Sequence, residues 1–247
     1  MNNHNQNRQV RRIDGEQRFY EIEGLGRFPS VTTILNIIGK PALANWKLSV
    51  AINYLKGLPP EKMSPEGIFE VLELAKKKPA ELTKEALDIG SRVHEILEEA
   101  VKAHIQSPIV WSDFFANYQE RGEVMNCLSA FVKWAAENDF EPVLSELTVY
   151  STKKKFAGTL DCVAKVNGKM FLIDFKSSKA YYAEMALQLA AYRYALKERR
   201  PDLKIRGMAV MRLGKLDGEF EFIKVKYFIK NFAGFLAAKK LWNWQNL

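Results

Sequence analysis

Cysteine is scarce in this chain: its 247 residues hold two, Cys127 and Cys162, far apart and in no C-x-x-C spacing. That excludes a disulfide framework, a structural zinc site and a four-cysteine iron–sulfur cluster, and makes a reducing cytoplasm the expected compartment. No apolar stretch approaches the roughly 20 residues that span a bilayer, so no membrane partner is expected. Residues 1–12, rich in Asn, Gln and Arg, lack the apolar core of a signal peptide and are expected to form a disordered basic tail. A Walker A loop is missing, which excludes a built-in helicase motor and leaves no sign of a nucleotide cofactor. There is no internal repeat, and no low-complexity segment beyond the tail.

What is present is the material of a globular domain. The chain is 47% hydrophobic and 27% charged, enough to build a buried core under a solvated surface. Lys and Arg number 37 against 29 Asp and Glu, leaving a net charge of +8. Excess positive charge is an electrostatic footprint for phosphate polymers. It gathers at Lys76-Lys77-Lys78, Lys153-Lys154-Lys155 and Arg199-Arg200. Each lysine run also reads as a solvated helix end or loop, and that is the better reading for the first.

The periodicity divides the chain into a helical first half and a mixed second half. Residues 11–22 read as a small hairpin turning at Asp14-Gly15, and Pro29-Ser30 caps a short helix over 31–38. Helical patterns follow at 43–55, 65–77, 84–104 and 123–137, with an aromatic linker over 106–119. Strands are expected at 143–151, 160–166, 169–176, 204–212 and 219–225, the last two meeting at Asp217-Gly218. Helices cover 182–199 and 230–244. The predicted fold class is α/β, a mixed central sheet covered by helices on both faces. The expected organisation is the tail over 1–12, a helical region over 13–120 and an α/β core over 121–247, in one structural domain.

The residues that carry chemistry lie on the hairpin around Asn167-Gly168, the strongest short-range hairpin signal. A two-residue loop pairs Val166 with Lys169, and counting outward pair by pair sets Asp161 opposite Asp174, with Cβ atoms roughly 5 Å apart. Lys176 falls on the same face about 7 Å further along. Opposed like charges are destabilising unless neutralised, and a divalent cation is the simplest neutraliser. Mg²⁺ and Mn²⁺ prefer oxygen ligands of this kind. A neighbouring ammonium can then stabilise developing negative charge or help deprotonate an attacking water, which suits phosphodiester hydrolysis. The bland alternative is a hairpin whose exposed polar residues happen to align. Against it, Phe171-Leu172-Ile173 and Phe175 are the apolar run of a buried strand, where a lone carboxylate is costly. Gly158, inside a strand, marks a close approach by another group.

Gly158-Thr159-Leu160-Asp161, Ile173-Asp174-Phe175-Lys176 and Gln188-Leu189-Ala190-Ala191-Tyr192 resemble the motif series of RecB-like nucleases in the PD-(D/E)XK superfamily. Upstream, Gly90-Ser91-Arg92-Val93-His94 is similar to the glycine and histidine motif of that family. Phe28-Pro29-Ser30-Val31-Thr32-Thr33-Ile34-Leu35 resembles the N-terminal segment of its phage and mitochondrial single-strand exonuclease branch. The resemblance implies a restriction-endonuclease-like core with a helical N-terminal half. It implies Mg²⁺ or Mn²⁺ held by His94, Asp161, Asp174 and the Phe175 carbonyl, with Lys176 catalytic and Gln188 and Tyr192 lining the site. Glu146 matches a frequent acidic position. Ser30, Thr32, Thr33, Glu146, Lys153, Lys154, Lys155 and Ser177 are the candidate nucleic-acid contacts. Some relatives carry a cysteine-bound iron–sulfur cluster, which this sequence lacks.

The implied activity is a metal-dependent exonuclease on single-stranded DNA or DNA ends, working beside replication or recombination proteins. The location would be a bacterial or phage-infected cytoplasm, or the mitochondrial matrix in a eukaryote. Two alternatives stand: a structure-specific endonuclease of the same superfamily, and a nucleic-acid-binding protein with a degenerate site. Residue by residue, bland readings stand too. A lone histidine such as His94 can simply pack, Glu98 one turn on can reach the same site or be solvated, and Tyr192 can sit in the core with its hydroxyl satisfied. Ser30, Thr32 and Thr33 cap a helix, a place where phosphates also bind. Trp46, Trp111, Phe114 and Tyr118 either stack on bases or pack in the core.

Overall fold

A computed structural model of the chain describes residues 8–64 and 67–246. The chain folds as two compact units, Gly39–Ser91 and the remainder, and residue 120, the expected boundary, falls inside the larger of them. Residues 1–7 of the expected tail lie outside the described residues, as does Pro65, the expected start of a helix.

In the larger unit, strands β1 (Val10–Ile13), β2 (Phe19–Ile22) and β3 (Gly26–Pro29) form an antiparallel sheet. Val10–Ile13 thus overlaps the stretch expected as tail, because Tyr20, Ile22 and Phe28 give this small sheet a buried face. Ile13 pairs with Phe19, so the first turn is longer than an Asp14-Gly15 pair, and β3 has no counterpart in the expected elements. Helix α1 (Val31–Leu35) begins at Ser30, whose Oγ accepts the Thr33 N–H at 2.9 Å, an N-cap as expected.

The smaller unit is helical, with α2 (Pro41–Lys56) and the first part of α3 (Ile68–Gln106). Pro79 falls between two expected helices, a natural break because proline removes a backbone donor. Instead α3 runs through it, and the Thr83 hydroxyl donates to the Pro79 carbonyl at 2.7 Å.

After α4 (Trp111–Phe115) and α5 (Gly122–Glu137), the larger unit builds a five-stranded sheet ordered β4 (Phe140–Ser151), β5 (Phe156–Val166), β6 (Lys169–Lys176), β7 (Gly207–Leu213), β8 (Phe220–Val225). The β6–β7 pairing is parallel and the rest antiparallel, the mixed sheet expected. Parallel neighbours need a crossover, supplied here by α6 (Ala183–Arg199). Asn167 and Gly168, both left-handed with φ of 49° and 72°, close the β5–β6 hairpin with Val166 opposite Lys169. The β7–β8 turn is wider than a two-residue Asp217-Gly218 loop, since Leu213 pairs with Phe220. Together with α7 (Phe228–Gln245), α6 covers one face through Leu172, Leu189, Val210 and Phe235. On the other, Phe131 and Trp134 of α5 meet Phe175 and Phe222 at ring separations of 6.0 and 5.2 Å. No helix among the described residues is long and apolar enough to cross a membrane.

Candidate active site

Strand alternation sends the two halves of β6 to different neighbours. Phe175 faces the aromatic cluster of α5, while Leu172 and Asp174 face α6. Asp174 is therefore buried, 1% exposed, in a wall of apolar side chains. Burial pushes its carboxyl up to about 6, the Lys176 charge opposing and the Asp161 charge adding. The Lys176 ammonium stands 2.5 Å from Asp174 Oδ2. Burial pulls the lysine's pKa down, but Asp174 and Asp161 more than offset that, and the net shift is upward. Lys176 is thus an ammonium at neutral pH.

The opposed pair of aspartates needs one correction. The β5–β6 ladder ends at Cys162 with Ile173, one position short of Asp161 with Asp174. The β4–β5 ladder likewise pairs Ser145 with Cys162 and Leu147 with Leu160 but skips Glu146 and Asp161. Glu146 is left-handed there, with φ of 47°. Asp161 thus sits at a gap between both neighbours, and its Oδ2 accepts the Phe175 N–H at 2.8 Å in place of a ladder bond. His94 Nδ1, from α3, lies 3.5 Å from the same oxygen.

Gln188 Nε2 donates to Asp174 Oδ1 at 3.2 Å and to the Tyr192 hydroxyl at 3.3 Å, so one helical turn of α6 lies beside Asp174. Burial, then Asp174 and Asp161, push the Tyr192 hydroxyl well above its ordinary pKa, which keeps it neutral. Gly158 explains itself: a Cβ there would lie 2.5 Å from Tyr192 Cε1. Glu146 joins the carboxylates, burial and then Asp161 and Glu98 pushing it up to about 7. Glu98 itself is paired with Lys102.

A metal fits this donor set. Asp174 Oδ2 is buried with no well-aligned hydrogen bond, held by the Lys176 charge alone. Among the described residues no three His, Cys, Asp or Glu side chains form a ready-made cage. Two carboxylates with few further protein ligands are what Mg²⁺ requires, since it keeps several waters.

The remaining candidates divide. Ser30 and Thr33 are buried, and their hydroxyls are taken up by the cap, by each other and by the Arg18 backbone, so they cannot meet a phosphate. Thr32 is half-buried and bonded to Ser30. Lys153, Lys154 and Lys155 form the exposed β4–β5 turn, and Ser177 follows β6, half-buried. Trp111 packs on His104 and Phe131, and Phe114 on Phe115 and Tyr118, which favours the packing reading for both. Of Lys76, Lys77 and Lys78, the first and last pair with Glu73 and Glu81 on a solvated helix face. Tyr20 is not among the residues expected near the site, yet its hydroxyl meets Thr159 Oγ1 at 3.0 Å, with Thr148 Oγ1 3.2 Å beyond. The alternation of buried Tyr20 and Ile22 in β2 is its only signal in the sequence.

A family model described as the PD-(D/E)XK nuclease superfamily matches residues 68–227. Among curated proteins none matches the chain.

Proposed function

Because the chain belongs to the PD-(D/E)XK nuclease superfamily, we propose that it is a metal-dependent deoxyribonuclease that removes nucleotides from the ends of single-stranded DNA. Membership suggests metal-dependent nuclease activity on nucleic acid, with divalent ions such as Mg²⁺ in general use. The observation that carries the reading is Asp174: a buried carboxylate whose Oδ2 forms no hydrogen bond among the described residues and is paired with the Lys176 ammonium, beside Asp161. The net charge of +8 favours a polyanionic substrate. The exonuclease and single-strand assignments rest on the resemblance of the segment from Phe28 to Leu35 and of the motifs that follow it.

Asp161 and Asp174 would hold one or two Mg²⁺ or Mn²⁺ ions, with His94 and the Phe175 carbonyl as further ligands. The ion would supply Lewis-acid activation of water and of the phosphoryl oxygens. The Phe175 N–H aims Asp161, and Gln188 aims Asp174. Lys176, charged at neutral pH, stabilises the negative charge that develops on phosphate as the P–O bond breaks. Tyr192, neutral, orients Gln188.

The test is hydrolysis of end-labelled linear and of circular single strands, with and without Mg²⁺ or Mn²⁺. Linear strands should be degraded and circles spared. Cut circles would mark an endonuclease, and binding without cleavage in either metal a degenerate site. Asp174→Asn and Lys176→Ala should each abolish cleavage while retaining binding; hydrolysis at the wild-type rate would refute the site. Independently of activity, Mn²⁺ should raise the unfolding temperature of the wild type and not of Asp174→Asn.

A further inference from the structure

The β4–β5 turn carries Lys153, Lys154 and Lys155, all exposed. A solvated lysine run needs no anchoring, yet this turn is fastened from beneath. Glu198, near the end of α6, accepts the Ser151 hydroxyl at 2.8 Å and the Thr152 N–H at 3.1 Å, one on each carboxylate oxygen. Ser151 is fully buried, and its Oγ accepts the Lys154 N–H at 3.0 Å. The Ser151 carbonyl takes the Lys155 N–H at 2.8 Å, with Lys155 left-handed at φ of 49°. The next residue of α6, Arg199, lies 4.2 Å over the Tyr150 ring and donates to its hydroxyl. From α7, Lys239 is close enough that burial and then the Lys155 charge lower its pKa. Two elements therefore crowd like charges into one place, and the fold spends a buried serine and a glutamate on fixing their geometry. That arrangement suits a ligand with closely spaced negative charges. From Phe156 at the foot of the turn to Asp161 is about 17 Å along β5, five residues at ~3.3 Å each, a reach of a few nucleotides.

We propose that Glu198 is a positioning residue that fixes Lys153, Lys154 and Lys155 as a phosphate-contacting surface for the single strand running to the site. The inference rests on the nuclease reading, and affinity measured without cleavage separates the two. The measurement is fluorescence anisotropy of a labelled single-stranded 20-mer in EDTA, across a salt series, with unfolding temperatures recorded in parallel. Replacing all three lysines by Ala should lower the log–log salt slope by about 2, and so weaken binding about one hundredfold at 0.1 M salt, if each lysine meets one phosphate. Glu198→Ala should weaken binding about three- to tenfold, the worth of one or two hydrogen bonds. In the triple-Ala background it should cost nothing more, because it acts through those lysines. Glu198→Gln keeps one of the two acceptor oxygens and should recover part of the loss. In turnover, Glu198→Ala should raise KM on the 20-mer with kcat held to within roughly twofold.

A loss from Glu198→Ala that persists undiminished in the triple-Ala background would overturn the proposal, as would affinity equal to wild type. Tighter binding by both Glu198→Gln and Glu198→Ala would also overturn it, since loss of a negative charge beside the lysines and not loss of anchoring would then be at work. If the wild type binds the 20-mer and cleaves it but Glu198→Ala behaves identically, this inference alone fails. If the wild type binds no nucleic acid, the nuclease reading fails with it.

Discussion

The two faces of β6 do opposite things with the same strand. Toward α5, Phe175 meets Phe131 in an aromatic cluster that includes Trp134, Phe140 and Phe222. Toward α6, two residues of the same backbone bury a carboxylate and seat an ammonium beside it. One face supplies stability without chemistry, and the other carries chemistry at a cost in desolvation. Buried charge that is neither fully hydrogen-bonded nor removed is a common mark of function.

The comparison predicts that mutations on the two faces separate stability from activity. Phe131→Ala, at a site that is fully buried, should cost about 3–5 kcal/mol in denaturant unfolding while leaving kcat near wild type at a temperature where it stays folded. Asp174→Asn should do the reverse, removing cleavage with a smaller change in unfolding temperature than Phe131→Ala produces. Equal loss of fold from both would break the contrast. Gly158→Ala falls between, because its methyl must displace the buried Tyr192 ring: about 1–3 kcal/mol of stability and a drop in kcat as Gln188 loses its partner. The smallest effect concerns the thiols. Both are fully buried, and burial pushes Cys127 up to about 11 and Cys162 upward too. Raised pKa values keep them protonated at pH 8, so a thiol-reactive disulfide reagent should label neither in the native protein and both after denaturation.

Much of the site is legible in the sequence because local rules happen to decide it. Asn167-Gly168 fixes the register of β5 on β6, and from that register comes the meeting of Asp161, Asp174 and Lys176. The apolar run around Asp174 announces its burial. The i, i+4 spacing of Gln188 and Tyr192 places both on one side of α6. What escapes depends on tertiary structure. That Glu146 adopts a left-handed conformation where the β4–β5 ladder skips Asp161 is set by the folded sheet, and a glutamate carries no turn signal of its own. That α3 continues through Pro79, which is buried, reflects tertiary packing overriding a helix breaker. In the sequence Glu198 is one more charge at a helix end, and only the folded chain shows that Ser151 and Thr152 converge on it.

The hairpin around Asn167 and Gly168 also bears on the order in which the site comes together. Its loop is short, so closing it is fast, on the order of microseconds, and the stretch from Asp161 to Tyr192 needs only a hairpin and the helix that follows. His94 arrives from far earlier in the chain. During refolding the two aspartates and the lysine should be neighbours before the histidine docks, so the ammonium of Lys176 has its first task as a counter-charge in the nascent structure, well before any substrate is present.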